Sequence, residues 1–305
     1  MANLLELYVK LVGLVLVGFI LGRKLSNTVP NRIGQLLFWV GVPISIVAFL
    51  RGADLSGQIW IAPAIAYIAI FLGACLAWVG IQGQAYFTNT ISQKPTQGSL
   101  ILGAMVGNTG YLGFPITLAM VGQEYFAWAL FYDLLGSLFG AYGLGVVLAS
   151  HYGGGTSNYR HMTKAILINP ALWSFGVGLL FREIKLPNFV EFSLEKLGWS
   201  VVALSLVLIG MRLSRLNSWH RLPQAGISLV IKMLLVPLVV GSTLPFFGVT
   251  GEPAQVIVLQ MAMPPAFATL VIAETFNLDR DLAVTSLAVG SMVLLVTLPV
   301  WLWIF

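Results

Sequence analysis

The sequence predicts an all-α polytopic membrane protein of about ten transmembrane helices, and three observations carry that reading. Hydrophobic residues make up 58% of the 305-residue chain and charged residues only 9%, with mean hydropathy +0.91. A soluble chain carries roughly 25% charged residues. Apolar runs of about 20 residues, the length a bilayer crossing needs, recur along the whole chain with short connections. Runs such as Leu11 to Leu21 do not alternate, which sets aside an outer-membrane barrel, whose strands alternate with period two.

The spans read at about 4–22, 33–50, 58–80, 98–121, 124–149, 165–181, 197–211, 225–247, 254–274 and 281–304. Glu6 and Lys10 precede the first apolar core and no small-residue cleavage site follows it, so no removable signal peptide is expected. The same two residues, four apart, suit a local ion pair. The single Cys75 excludes an intramolecular disulfide and a Cys-based metal cluster. The formal charge of +5 follows from topology and calls for neither nucleic acid nor an acidic partner. Lys and Arg concentrate in alternate loops (Arg23, Lys24 and Arg32; Lys94; Arg160 and Lys164; Arg212, Arg215 and Arg221; Arg280). Arg51, Arg182, Lys185 and Lys196 fall on the opposite face. The richer face should be cytoplasmic, which puts both termini on the non-cytoplasmic side of a cell (inner) membrane. Trp60, Trp219, Trp301 and Trp303 at span ends fit an interfacial belt.

The hydrophilic segment 151–164 splits the chain into residues 1–150 and 165–305, each with five spans. Five is odd, so the second half enters the membrane in the opposite orientation, as in an inverted repeat. Direct identity between the halves is weak. The fourth member of each half is interrupted. Span four carries Gly107-Asn108-Thr109-Gly110-Tyr111-Leu112-Gly113-Phe114-Pro115-Ile116, and span nine carries Met261-Ala262-Met263-Pro264-Pro265-Ala266. In lipid an unpaired backbone group costs several kcal/mol, so such breaks survive only where protein buries them or a polar cavity wets them. Paired interrupted spans are the sequence signature of a transporter's binding site. Proline suits a helix's first turn, so Pro115 and Pro264-Pro265 are expected to start the second half-helices. Their N-termini near the midplane would attract an anion. Pro43, Pro63, Pro170, Pro237 and Pro299 read as tolerated kinks. Gly103 and Gly107 also have the spacing of a plain helix–helix contact, but Asn108 and Pro115 add nothing to simple packing.

The segment 107–116 resembles the fourth-span signature of the auxin efflux carrier family, which includes plant auxin exporters and bacterial permeases for malonate and related acids. Met263-Pro264-Pro265-Ala266 with Ala273-Glu274 is similar to that family's ninth span, and Tyr132-Asp133 resembles its short bacterial branch. The resemblance covers essentially the whole chain. It implies two inverted five-helix repeats with crossed broken helices 4 and 9. It also implies a scaffold and a mobile transport domain, each drawn from both repeats, with elevator-type alternating access, often as a homodimer. Asn108 and the crossover prolines carry over as binding or support positions. The plant carriers' long central loop is here only about fourteen residues, so loop phosphorylation control is not expected, nor is auxin itself implied.

The expected substrate-binding set is Asn108, Thr109, Gly110, Tyr111, Pro115, Pro264 and Pro265. Asp133 and Lys232 lie within spans, where an ionisable group by default marks a pathway, a proton site or a buried pair; both are candidates for coupling or gating. Lys232 is also long enough to snorkel to the headgroups. Glu274, Asp279 and Asp281 read as a solvated cytoplasmic rim. The expected function is secondary transport of a small organic anion, with sodium or a proton as candidate coupling ion, in a lipid bilayer and without cofactor. An anion channel, or a sodium- or proton-coupled symporter of another solute, is the alternative. An intramembrane enzyme would want an acid pair or metal-ligand spacing within the spans. Yet His151, His161 and His220 all fall in loops, and no GxxxxGK[ST] phosphate loop occurs.

Overall fold

The computed structural model describes residues 2–26, 28–88, 92–153, 163–164, 166–214 and 221–305. Most of the 151–164 linker lies outside the described residues, as do Arg160, His161, Arg215, Trp219 and His220. The described residues are helical, with one isolated antiparallel bridge and no longer strand. In chain order the helices are α1 (Ala2–Lys24), α2 (Val29–Leu50), α3 (Ile61–Thr88), α4 (Lys94–Met105), α5 (Phe114–Met120), α6 (Phe126–Gly153), α7 (Pro170–Phe181), α8 (Asn188–Leu213), α9 (Leu222–Phe247), α10 (Glu252–Ala262), α11 (Phe267–Thr275) and α12 (Arg280–Ile304). By length and composition α2, α3, α6, α8, α9 and α12 can cross a membrane. With 12 residues, α4 covers only about 18 Å at 1.5 Å per residue, short of a hydrocarbon core of about 30 Å.

Three prolines within helical segments follow widened turns, whereas Pro299 lies inside α12 without one. A π turn at Leu37–Gly41 ends two residues before Pro43, one at Thr109–Gly113 two before Pro115, and one at Ile231–Leu235 two before Pro237. A proline ring clashes with the carbonyl four residues back and offers it no donor. Widening that turn moves the carbonyl aside and keeps the helix running.

Packing falls into two groups. In the first, α1 lies along α8, and α2 packs against both α7 and α8. In the second, α3, α4, α6, α9, α10, α11 and α12 pack among themselves, while α5 and α12 also reach α8. The α1–α8 contact is made backbone to backbone. A Cβ on Gly18 would stand 1.9 Å from the Val207 carbonyl oxygen, and one on Gly210 would stand 1.9 Å from that of Val15. Small residues let membrane helices approach this closely, and dispersion over the whole seam then holds them.

The connections at one end of the bundle are tied together. The Arg51 guanidinium donates to the carbonyls of Phe181 (2.7 Å) and Ile184 (2.6 Å), and Arg182 donates to that of Ala53 (3.2 Å). The Asp54 N–H donates to the Glu124 carbonyl at 2.8 Å, joining the α2–α3 and α5–α6 connections. The Ser56 N–H and hydroxyl hold the Asp54 carboxyl below the usual range.

Several expectations shift. α8 begins at Asn188, nine residues before the predicted span seven, because Phe189, Val190 and Phe192 extend the apolar surface between Glu191, Glu195 and Lys196. Lys196 is therefore helical rather than in a loop. Trp301 is not in an interfacial belt: it is 3% exposed and donates its indole N–H to the Met233 carbonyl at 3.1 Å. Trp60 and Trp303 are exposed. Asp279 is not a solvated rim residue. Its carboxylate accepts from the Thr96 hydroxyl (2.9 Å) and the Leu282 N–H (3.0 Å) and pairs with Arg221 (3.2 Å), pinning α12 to the start of α4. Glu274 does sit in an exposed pair with Arg280. Glu6 and Lys10 pair at 2.6 Å on the exposed face of α1.

Adding only a methyl at the seam should cost stability. Gly18→Ala and Gly210→Ala should each unfold in detergent at a clearly lower temperature, by about 1–3 kcal/mol or more. Gly13→Ala, on the same helix with nothing within 4 Å of its built Cβ, should unfold like the parent. Equal melting of all three would exclude the glycine seam.

Candidate functional site

The two interruptions lie against each other. At residue 106 the backbone turns extended (φ −112°, ψ 116°), and Asn108 (φ −80°, ψ 60°) stands before the next helical turn. On the other chain segment, Met263 (φ −61°, ψ 140°) and Ala266 (φ −70°, ψ 151°) bracket the prolines in extended backbone. The Asn108 N–H donates to the Pro264 carbonyl at 2.7 Å, and the Ala266 N–H donates to the Val106 carbonyl at 2.9 Å, closing the antiparallel bridge between Gly107 and Pro265. Each break thus supplies partners for polar groups that the other has freed, which removes the penalty of leaving them bare in an apolar medium.

Helix resumes earlier in span four than the proline suggests. The Leu112 and Gly113 N–H groups both donate to the Asn108 carbonyl at 3.1 Å, so Asn108 caps the segment; Pro115 lies in the first turn of α5, as expected, but in the second turn counted from Thr109. The N–H groups of Thr109, Gly110 and Tyr111 are then the ones a helix start leaves without an intrahelical partner. In span nine, α11 starts at Phe267, and Pro264 and Pro265 form the extended link rather than a first turn. Both prolines fit beneath a glycine of α12: a Cβ on Gly290 would stand 2.8 Å from Pro264 and 3.2 Å from Pro265.

The three glycines of the 107–113 segment each make room for a polar side chain. A Cβ on Gly107 would stand 2.9 Å from Lys232 Cε, one on Gly110 3.2 Å from Asp133 Oδ2, and one on Gly113 2.3 Å from Gln260 Oε1. Lys232 does not snorkel. It is 2% exposed, and its ammonium donates to the Met261 carbonyl at 2.9 Å, in the last turn of α10. A cation there meets carbonyls that the helix end leaves free and the negative end of the helix dipole. The Thr109 hydroxyl donates to Asp133 Oδ1. Gln260, fully buried, donates its amide N–H to the Thr117 hydroxyl at 3.0 Å and so ties α10 to α5. Asp133 and Lys232 form no ion pair among the described residues, and both flank the crossing.

A cavity of about 560 Å³ opens on this crossing. Asn108, Thr109, Gly110 and Tyr111 line it, with Asp133 and Tyr142 from α6, Asn31 and Gln35 from α2, and Asn169 at the start of α7. Pro115, Pro264, Pro265 and Lys232 do not; they stand behind the wall. The remaining lining is mostly apolar, and Phe38 stacks on Tyr111 with centroids 5.8 Å apart. The cavity lies between the two packing groups, towards the start of α2 and α7 and the end of α8, away from the tied loops. Arg212 is its one cationic wall residue among the described residues, a position that the sequence places among the basic loop charges, with gating against the Glu274–Asp281 acidic cluster as a further reading. Asn31 and Gln35, four apart at the head of an apolar helix, and Gln260 inside an apolar run were signals available in the sequence. No group of three or more His, Cys, Asp or Glu able to hold a metal occurs among the described residues.

The chain matches the family described as membrane transport protein over residues 3–302. It is 29% identical over 301 residues to an uncharacterized transporter of Methanothermobacter thermautotrophicus, covering 97% of this chain and 96% of that protein. It is 28% identical over 297 residues to an uncharacterized transporter of Methanocaldococcus jannaschii, covering 95% of each. A probable auxin efflux carrier component of Oryza sativa is 27% identical over 147 residues, 45% of this chain and 33% of that protein. The chain belongs to the membrane transport protein family, the auxin efflux carrier family, and is a multi-pass membrane transporter rather than an enzyme.

Proposed function

We propose that this protein is a secondary carrier for a small organic anion, of the auxin-like or dicarboxylic kind, held at the crossing of its two broken helices. The single observation that carries the reading is the cavity between the two packing groups, bounded by Asn108, Thr109, Gly110 and Tyr111. Unpaired N–H groups at that helix start and the positive end of its dipole favour a negative ligand.

Counting α4 with α5, and α10 with α11, as single interrupted spans makes ten spans in two inverted repeats, residues 1–150 and 165–305 about a linker at 151–164. Helix packing supports this order. Span one lies on span seven and span six on span two, and a shift of five turns the first pair into the second. The group of α1, α2, α7 and α8 would serve as scaffold, and the group around the crossing as the transport domain. Movement of the second along the first exposes the site alternately, and a homodimer would anchor the scaffold. The loops tied by Arg51, Arg182 and Asp54 favour a carrier over a channel, since a channel needs both ends continuous. With the basic loops cytoplasmic in a cell (inner) membrane, and the termini opposite, the cavity faces the cytoplasm.

Asp133 would couple or gate transport. It lies in the cavity wall and takes the Thr109 hydroxyl, so occupancy of the site and the state of the carboxylate share one element. Lys232 would hold the crossing together from behind.

In proteoliposomes loaded for counterflow, indole-3-acetate or malonate should exchange, and Asn108→Ala should lower the rate at least about tenfold while leaving the melting temperature near the parent's, as expected for a lost ligand contact. Absence of exchange for every carboxylate, with exchange of a neutral solute or a cation, would reject the anion assignment. Asp133→Asn should make uptake indifferent to an imposed pH gradient. Thr109→Val should lower the melting temperature by the equivalent of about 1–3 kcal/mol, because the carboxylate loses its donor, and Thr109→Ser should restore it.

A further inference from the structure

Arg212 sits in the last turn of α8, where a cation has an ordinary role: it complements the helix dipole and anchors the helix at the membrane surface. Its surroundings differ from that role. The side chain turns inward, with Nη2 over Gly34 of α2, where a Cβ would stand 2.8 Å away, and the guanidinium 5.2 Å from the centroid of Phe267, the first residue of α11. It is half-buried, and no carboxylate pairs with it among the described residues. A second cavity of about 240 Å³ lies on the α8–α12 side of the crossing, and Arg212, with Asn31, Asn108, Tyr111 and Phe267, is wall to both. An unpaired, partly desolvated guanidinium beside a largely apolar cavity is a strong attractor for a carboxylate, which it can meet with two parallel N–H donors.

We infer that Arg212 is the specificity-determining residue of the site, binding the carboxylate of the substrate, and that the cavity takes a substrate with a single negative charge. This rests on the carrier reading above and goes beyond it. The charge limit comes from the wall itself. Among the described residues Arg212 and Asp133 are its two charged ones, so one anionic group is neutralised by the guanidinium, while a second would have only the N–H groups of the helix start at Thr109 to meet it and would lie beside the Asp133 carboxylate. A like charge placed there is disfavoured, and the low local polarity increases the penalty. The apolar remainder of the lining, with the Phe38–Tyr111 stack, suits an uncharged hydrocarbon body. Arg212 belongs to the first packing group and its π partner Phe267 to the second. A bound carboxylate is therefore gripped across the joint between them.

The test uses the purified full-length protein, with butyrate, benzoate and indole-3-acetate each titrated beside its neutral amide, and malonate as the dianion. Parent, Arg212→Gln and Arg212→Lys are compared by calorimetry and by melting temperature. At least one monocarboxylate should bind the parent, and Arg212→Gln should weaken it by about tenfold or more, the usual loss for a charged hydrogen-bonding partner. The amide should bind the parent and Arg212→Gln alike, Arg212→Lys should recover part of the acid affinity, and malonate should bind the parent more weakly than that acid. Acid binding retained in Arg212→Gln overturns the assignment while leaving the carrier reading intact. Equal loss of acid and amide also overturns it, since that is what a structural role would give. Malonate binding more tightly than every monoacid overturns the single-charge limit. A parent that binds no acid overturns this inference together with the anion reading.

Discussion

Everything in this molecule hangs on four main-chain groups at the crossing of two interrupted helices. An apolar surrounding gives a broken helix no water for its freed N–H and C=O groups. Here the two breaks answer one another: Asn108 N–H to Pro264 C=O, and Ala266 N–H to Val106 C=O. With that pairing made, the chain can hold irregular backbone deep inside an apolar bundle, and helix ends can face a cavity. Without it, neither the polar start of the 109–113 turn nor the orientation of Asn108 would be affordable.

Around those bonds the side chains follow a consistent logic. Glycines at 107, 110 and 113 clear space for an ammonium, a carboxylate and an amide. The ammonium and the carboxylate are given partners in the Met261 carbonyl and the Thr109 hydroxyl, and the amide N–H of Gln260 in the Thr117 hydroxyl, while Gln260 Oε1 has no hydrogen-bond partner among the described residues. Five of the prolines are placed where a missing N–H costs least. Two lie in the extended link, and three others follow turns already widened to take the ring. Away from the crossing, α1 and α8 close on glycines rather than on interdigitated large side chains, so one packing group is knit by backbone proximity while the other surrounds the polar centre.

The helical, membrane-spanning class was legible in composition alone, and both interruptions in the glycines and prolines that lipid would not otherwise tolerate. What sequence reasoning could not see was where each helix resumes. Pro115 looks like a first-turn residue, yet the wide turn from Thr109 starts the segment six residues earlier, because a π turn is invisible to residue preference. Lys232 had two readings, headgroup or interior, and depth along a helix does not say which way a long side chain runs; the free carbonyl of Met261 decided it. Arg212 was hidden for a related reason. A basic residue at a span end satisfies the topology rule, and nothing in one dimension shows that Gly34 of a distant helix has cleared a place for it. Trp301 misled in the opposite sense, as its place near a helix end suggested an interface although its indole is spent on Met233.

The joint at the crossing is written almost wholly in main-chain atoms. Amide and carbonyl are common to every residue, so positions 106, 264 and 266 can change side chain while the bonds endure, provided the substitutes stay small enough to fit and 108 and 266 keep an N–H. Two halves of a chain, or two distant relatives, could therefore drift until little resemblance was visible and still fold onto the same hinge-like cross. Drift of that kind erases the outline from an alignment while leaving it intact in space. The residues under tighter restraint would be the glycines beneath the polar side chains, Gly113 above all, where an added carbon would stand 2.3 Å from Gln260 Oε1.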